Sequence, residues 1–307
     1  MSWNYSAQND LADYVQNAPK EAPEGKRSYG ERMKEERAAM TALYSRAFQE
    51  IWGDEQGYKK FLDILERFTL SPVEGSLGAG VQNAALIYKQ RPDAVCLKTF
   101  SEYGERNVKI RKHSVAVDIF VPHTVEREGK PVTYYNPMKV FDISQTDAKI
   151  HLPERPVWCE LEVLQAVANT ECFAIDITEE LPDGVDAAYI PQINEVWVRD
   201  GLNAPDTTVA MLTEFAHYQL AQAKDYTRSP ESVFVACSTA YVLAEHYGLD
   251  TKEMNFPQEA FPPLKETGAI KEVLSAVASV SKKVALKIDK ELGTLDLAQE
   301  KDYEASR

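Results

Sequence analysis

Between residues 266 and 292, Ile270, Val273, Leu274, Val277, Val280, Val284, Ile288 and Leu292 recur mostly at spacings of three and four. Such a stripe lies along one face of an α-helix and must be covered by a second layer. A strand cannot present it, because successive side chains there alternate between faces. The chain must therefore build a helical layer. The same period occurs near its start. From Glu31 onward, Met33, Met40, Leu43, Tyr44, Phe48 and Ile51 share a face, and Tyr58, Phe61, Leu62 and Leu65 mark a second helix. A glycine-rich stretch (Gly75, Gly78, Gly80) then leads into a helix with Val81, Ala84, Ala85 and Tyr88 inward, ended by Arg91-Pro92-Asp93.

The middle of the chain changes period. Val115, Val117, Ile119 and Val121 alternate with Ala116, Asp118 and Phe120, so residues 108–122 read as strand. Residues 126–130 form a turn, and 132–143 return as a strand interrupted at Asn136-Pro137. Farther on come a helix (159–168), a strand (172–177), two short strands (AAYI and EVWVR) and helices over about 205–224, 231–247 and 266–292. The fold class is α+β: N-terminal helices with a small antiparallel sheet, then a mostly helical unit with a short sheet. Residues 1–30, with Pro19, Pro23 and Gly25, read as a flexible N-terminal segment and linker. Domains are expected over 31–150 and 151–307, with the boundary between Ala148 and Pro156. The charged tail AQEKDYEASR is expected to fray.

Composition excludes several classes. The 307 residues are 44% apolar, enough for a sizeable core without staples. A net charge of −14 disfavours broad coating of nucleic acid or of an anionic membrane, while leaving room for a local basic stripe. Cys96, Cys159, Cys172 and Cys237 are scattered without a CxxC pair, which points to reduced cytoplasmic thiols and away from a disulfide framework or a zinc ribbon. The sequence MSWNYSAQND has no signal-peptide character, and the weakly apolar run Val233–Ala244 is too short to span a bilayer. A cytoplasmic protein without a membrane partner is expected.

The most informative segment is VAMLTEFAHYQL, on the helix after the short strands. A zinc peptidase places His-Glu-x-x-His there: positions i and i+4 share a face, two imidazoles hold the metal, and the glutamate polarises its water. Here the five positions are Thr213-Glu214-Phe215-Ala216-His217. A threonine hydroxyl is a poor zinc ligand beside imidazole, thiolate or carboxylate. Cys237, twenty residues beyond His217, could supply a thiolate. Two readings stand: a working site using His217 and Cys237 with Glu214 as general base, or a dead site with His217 hydrogen-bonded and Cys237 packed as a small apolar residue. His246, near a helix C-terminus, reads as structural. Gly75-Ser76-Leu77-Gly78-Ala79-Gly80 lacks the Gly-Lys-(Ser/Thr) ending of a P-loop and has no strand before it, although a glycine-rich helix start can offer N–H groups to a phosphate.

The order of these segments resembles the ArdC-type antirestriction proteins and their relatives in plasmids, conjugative elements and phages. The residues that carry the resemblance are GVQNAALIYKQRPDA, TFSEYGERNVKIRKHSVAVDIFVP, MKVFDISQT, MLTEFAHYQLA and CSTAYVLAEHYGLDT, from about Glu31 to Asp250. The resemblance implies an N-terminal single-stranded-DNA-binding domain and a C-terminal zincin-like metallopeptidase domain. It also implies that the first zinc histidine is replaced by Thr213 and the third ligand, a glutamate, by Cys237. In the basic turn, Arg111-Lys112-His113-Ser114-Val115 keeps two charges of the family's Lys-Lys-Gly-Glu-Lys.

Residues 98–112 carry a local charge of +3, and Tyr88, Phe100, Tyr103, Phe120, Tyr134 and Tyr135 lie near them in sequence. Cations that track a backbone, with aromatics that stack bases, are what single-strand binding needs; a solvated basic turn beside core aromatics is the alternative. The nucleic-acid candidates are Asn83, Lys89, Lys98, Arg106, Lys109, Arg111 and Lys112. The expected role is non-catalytic: a mobile-element or phage accessory protein with no cofactor, binding single-stranded DNA or a host protein, with antirestriction as the task that the resemblance implies. Two alternatives remain open, an active zinc metallopeptidase with unusual ligands and an acidic protein-interaction module.

Overall fold

A computed structural model describes residues 28–127, 129–148 and 156–294. The tail, most of the N-terminal segment and most of the boundary stretch lie outside the described residues. Helix α1 (Tyr29–Ile51) begins at a capping box in which Ser28 and Glu31 exchange backbone N–H bonds, so the expected linker gives way to helix before residue 30. Helix α2 (Glu55–Thr69) is capped by Asp54, whose carboxylate accepts the Gly57 N–H at 2.7 Å. Helix α3 (Val81–Gln90) follows the glycine stretch. Gly78 is needed there: at φ +116° a Cβ would sit 3.1 Å from Ile87 and 3.3 Å from Phe68.

Strand β1 (Leu97–Lys98) and helix α4 (Phe100–Glu105) precede the hairpin of β2 (Val117–Arg127) and β3 (Lys130–Asp142). The sheet order is β1-β3-β2, antiparallel throughout, with Val117 opposite Val140 and Arg127 opposite Lys130. Two expectations are corrected here. The strand begins at Val117, not at residue 108, because Asn107 and His113 take φ +57° and +66° and break extended backbone. The return strand runs unbroken through Asn136-Pro137. Pro137 faces Phe120. The Phe120 N–H donates to Asn83 Oδ1 and its carbonyl accepts from Asn83 Nδ2, both at 2.8 Å. The pair is therefore a non-hydrogen-bonded one, and the N–H that proline lacks is not missed.

Beyond residue 156 come α5 (Glu160–Asn169), β4 (Ala174–Thr178), β5 (Ala187–Ile190), β6 (Glu195–Arg199), α6 (Ala204–Leu220), α7 (Pro230–Tyr247) and α8 (Thr267–Leu292). The second sheet has the order β4-β6-β5, with β4 parallel and β5 antiparallel to β6. These elements fall close to their sequence-predicted positions and give the expected α+β architecture.

Helix α8 is the spine. Its stripe residues Ile270, Leu274, Val277, Val284 and Ile288 are completely buried, each contributing about 1.5–3 kcal/mol of hydrophobic stabilisation. The helix packs on α5, α6 and α7 and also reaches α1, α2 and α3. One apolar core thus runs from Phe48, Phe61 and Ile119 to Phe215, Phe234 and Val284. At its centre the Tyr58 hydroxyl of α2 lies 2.8 Å from Ser238 Oγ of α7, and the Tyr58 ring is 5.1–5.3 Å from those of Phe234, Phe256 and Phe261. Among the described residues no helix is long and apolar enough to cross a membrane.

Candidate functional site

Helix α6 carries Thr213, Glu214 and His217. Asn203 caps it by accepting the Asp206 N–H, and Pro205 occupies its first turn. Positions 214 and 217, three apart, share a face, and both side chains are buried: Glu214 at 3% and His217 at 0% exposure. Thr213 is turned away from any shared task, its hydroxyl donating to the Val209 carbonyl of its own helix at 2.8 Å.

The loop between α6 and α7 folds back over this face. Its Tyr226 hydroxyl lies 2.7 Å from His217 Nδ1. Two residues later Arg228 grips the Glu214 carboxylate with both arms, Nη1 to Oε2 at 3.0 Å and Nη2 to Oε1 at 2.7 Å. The Tyr189 backbone N–H of β5 adds a third bond to Oε2 at 2.7 Å. A buried carboxylate is costly without a partner, and this bidentate pair with a backbone donor supplies one. Sequence reasoning missed Tyr226 and Arg228; the only available signal is their i,i+2 spacing, which directs both to one side of an extended segment.

Electrostatics follow from the burial. His217 is pushed down to about 3 by its loss of water and by the Arg228 charge, so its ring is neutral. The Cys237 thiol, on α7, is raised by burial and by the Glu214 carboxylate, and Arg228 opposes this only in part; it is therefore a thiol and not a thiolate. His217 Nε2 is buried with no hydrogen-bond partner.

This donor set does not fit the zinc ion that the family resemblance implies. Both Glu214 oxygens are engaged by Arg228 and one of them also by Tyr189, Thr213 is spent on its helix and Cys237 is protonated. Among the described residues no group of three or more His, Cys, Asp or Glu side chains is arranged to hold a metal. One free imidazole nitrogen beside a fixed guanidinium is not a metal centre. A cavity of about 440 Å³ borders the loop, lined by Tyr226, Thr227, Glu231 and Glu272 among others, and not by Glu214, His217 or Cys237.

The nucleic-acid candidates separate into two groups. Asn83 spends its amide on Phe120 and on the Ala79 carbonyl, and Lys89 is paired with Glu50 at 2.6 Å. The others run from Lys98, the last residue of β1, to Lys112, ahead of β2. Lys98 is 4% exposed and donates to the Glu74 carbonyl at 3.0 Å. Arg106 is exposed, and a Cβ at Gly75 would meet both its Nη2, at 3.7 Å, and Lys98 Nζ, at 3.0 Å. The segment that follows is pinned to the end of β3: the Lys109 carbonyl accepts the Asp147 N–H at 3.0 Å, and the Arg111 N–H donates to the Gln145 carbonyl at 2.8 Å. From this base Lys109, Arg111 and Lys112 project exposed, with no ion pair to a described carboxylate. Phe100, at the start of α4, is 70% exposed.

His246 holds a separate network. Its Nδ1 lies 2.7 Å from Ser71 Oγ and 3.4 Å from Glu66, and its Nε2 lies 3.4 Å from Asp289. Burial alone would lower its pKa, yet the Asp289 and Glu66 carboxylates outweigh that and push it up to about 9. It joins α2, α7 and α8, consistent with a structural residue.

No protein-family model matches the chain. It is similar to the uncharacterized protein pXO2-81 of Bacillus anthracis, 24% identical over 285 residues, covering 74% of this chain and 48% of the relative. The chain thus spans about half the length of the curated relative that it matches. Two crystal structures of the ArdC antirestriction protein from plasmid R388 are similar in fold. The metal-free form gives a TM-score of 0.53 at 16% identity, and the Mn(II)-bound form 0.55 at 17%, each covering 83% of this chain and 99% of the other. Over most of its length, the chain has the fold of the ArdC antirestriction protein.

Proposed function

We propose that this chain is a non-catalytic ArdC-like accessory protein that binds single-stranded DNA through the loop between α4 and β2, in antirestriction or a related task of a mobile element. The observation that carries the binding role is the pinned run of Lys109, Arg111 and Lys112, exposed and without an ion pair among the described residues, with the Phe100 ring exposed at the start of α4. Cations for phosphates and an aromatic for a base are the two parts of a single-strand groove. The net charge of −14 opposes the contact, so binding should be weak and steeply salt-dependent.

The non-catalytic part rests on Glu214. The R388 protein has been crystallised with Mn(II), but here the residue that would activate a metal-bound water is held by Arg228. With both oxygens hydrogen-bonded to a guanidinium, and one of them also to the Tyr189 N–H, this carboxylate is oriented as an ion-pair partner and not toward a water.

The test is fluorescence anisotropy of a labelled oligo(dT) strand across a salt series. Arg111→Ala with Lys112→Ala should weaken binding and reduce the salt slope by about 1.4, near 0.7 per lost phosphate contact. Lys89→Ala should leave both unchanged. No binding by the parent protein at any salt overturns the DNA role and leaves a host protein as partner.

A further inference from the structure

We propose that Arg228 is the resident cation of this pocket: its guanidinium occupies the position from which a metal ion would otherwise balance Glu214 and meet His217. The inference rests on the non-catalytic reading of the pocket and explains how the fold tolerates that state. A helix face with a buried carboxylate at 214, beside a buried imidazole at 217, has a standing requirement for positive charge at the carboxylate. Metal is one way to meet it. The alternative seen here is supplied by the chain itself, from the loop two residues past the one that engages the imidazole.

Three observations converge on this assignment. The contact is bidentate, with both Nη atoms on both carboxylate oxygens, a geometry that a planar guanidinium reaches and an ammonium does not. Tyr226 and Arg228 come from the same loop, so one segment closes over both former functions of the helix face. Finally, His217 Nε2 remains buried and unpartnered. Buried polar nitrogens are almost always satisfied, and an orphan beside a charged pair is what remains when a ligand has been replaced by something smaller in reach. Arg228 is 42% exposed at its side chain, so its removal would open this point to solvent and to ions.

The experiment uses the full chain and reads thermal unfolding with and without millimolar MnCl2 or ZnCl2, together with metal content after gel filtration. The parent protein should show no shift in Tm with either metal. Arg228→Ala should lower Tm by on the order of 5 °C, and added metal should recover part of that loss. The recovery should vanish in Arg228→Ala with His217→Ala, since Nε2 is the nitrogen the metal would meet. Arg228→Lys, which keeps the charge, should lose less than Arg228→Ala and show no metal recovery. Should Arg228→Ala fail to fold, Arg228→Gln, which removes the charge and leaves a shorter polar side chain, takes its place in the same comparison. Absence of metal recovery in the folded Arg228 variant overturns the inference while leaving the non-catalytic reading intact. A metal-dependent Tm rise in the parent protein overturns both.

Discussion

Asn83 holds Phe120 by both ends of its amide, accepting the backbone N–H and donating to the carbonyl, each at 2.8 Å. Gln90, seven residues along the same helix, repeats the contact on Asp118 at 2.9 Å. Two helical side chains thus stand in for a missing strand along the free edge of β2, where unpaired backbone groups would otherwise invite another chain. Asn83→Ala leaves a largely buried donor and acceptor unsatisfied. The expected loss is about 2–4 kcal/mol, measured by urea unfolding, with Asn83→Asp recovering little because it supplies no donor. A loss below about 0.5 kcal/mol would show that β2 does not depend on the clamp.

The His246 network makes stability depend on pH. Its folded pKa, about 9, lies above the ordinary histidine value of 6.5. The contribution is therefore fully present below pH 6.5 and is lost as pH rises through 9, to an extent of about 3 kcal/mol for a difference of this size. Urea unfolding across this window should show the parent protein losing stability relative to His246→Gln. Parallel curves for the two proteins would contradict the assignment.

Asp63 behaves in the same sense for a different reason. Burial and the neighbouring Glu245 carboxylate raise its pKa to about 6, against the hydrogen bond donated by Tyr241 at 3.0 Å. The folded form therefore favours the neutral acid, and stability is lost as pH rises from about 4 through 6. Asp63→Asn keeps an acceptor for Tyr241 and removes the repulsion. It should raise Tm at pH 7.5 by a few degrees and have little effect at pH 4. An unchanged Tm at pH 7.5 would show that the carboxylate pair is already relieved by solvent.

Most of the fold was legible because its helices carry long apolar stripes. Ile270 through Leu292 and Tyr58 through Leu65 fall on the faces that their spacing predicts. Strand onset was not legible. Val108, Ile110 and Val115 look like strand by composition, but Asn107 and His113 bend the chain and its pairing is reduced to the Ile110–Thr146 bridge. Pro137 read as a break because the parity of a strand pair is invisible without its partner. At the site, Glu214 and His217 could be found from helix spacing alone. Their partners could not, since Tyr226 and Arg228 come from a loop that has no period and is placed only when α7 packs against α6.

Loss of both members of the Glu214–Arg228 pair should cost less than the sum of the two single losses. Glu214→Gln strands the Arg228 guanidinium, and Arg228→Met strands a carboxylate that is 3% exposed. Each should lower stability by about 1–3 kcal/mol, less than a fully buried pair would because Arg228 reaches solvent. Glu214→Gln combined with Arg228→Met should recover part of the sum, read as a coupling energy in a double-mutant cycle by chemical denaturation. Additive losses would show that the two side chains act independently.

A pocket on α6 whose cation is Arg228 should hold no metal, which is read as the metal content of the chain purified without added metal or chelator, by plasma mass spectrometry, beside His217→Ala. Zinc and manganese should both be well below one equivalent, with no difference between the two proteins. Close to one equivalent in the parent, lost in His217→Ala, would contradict it.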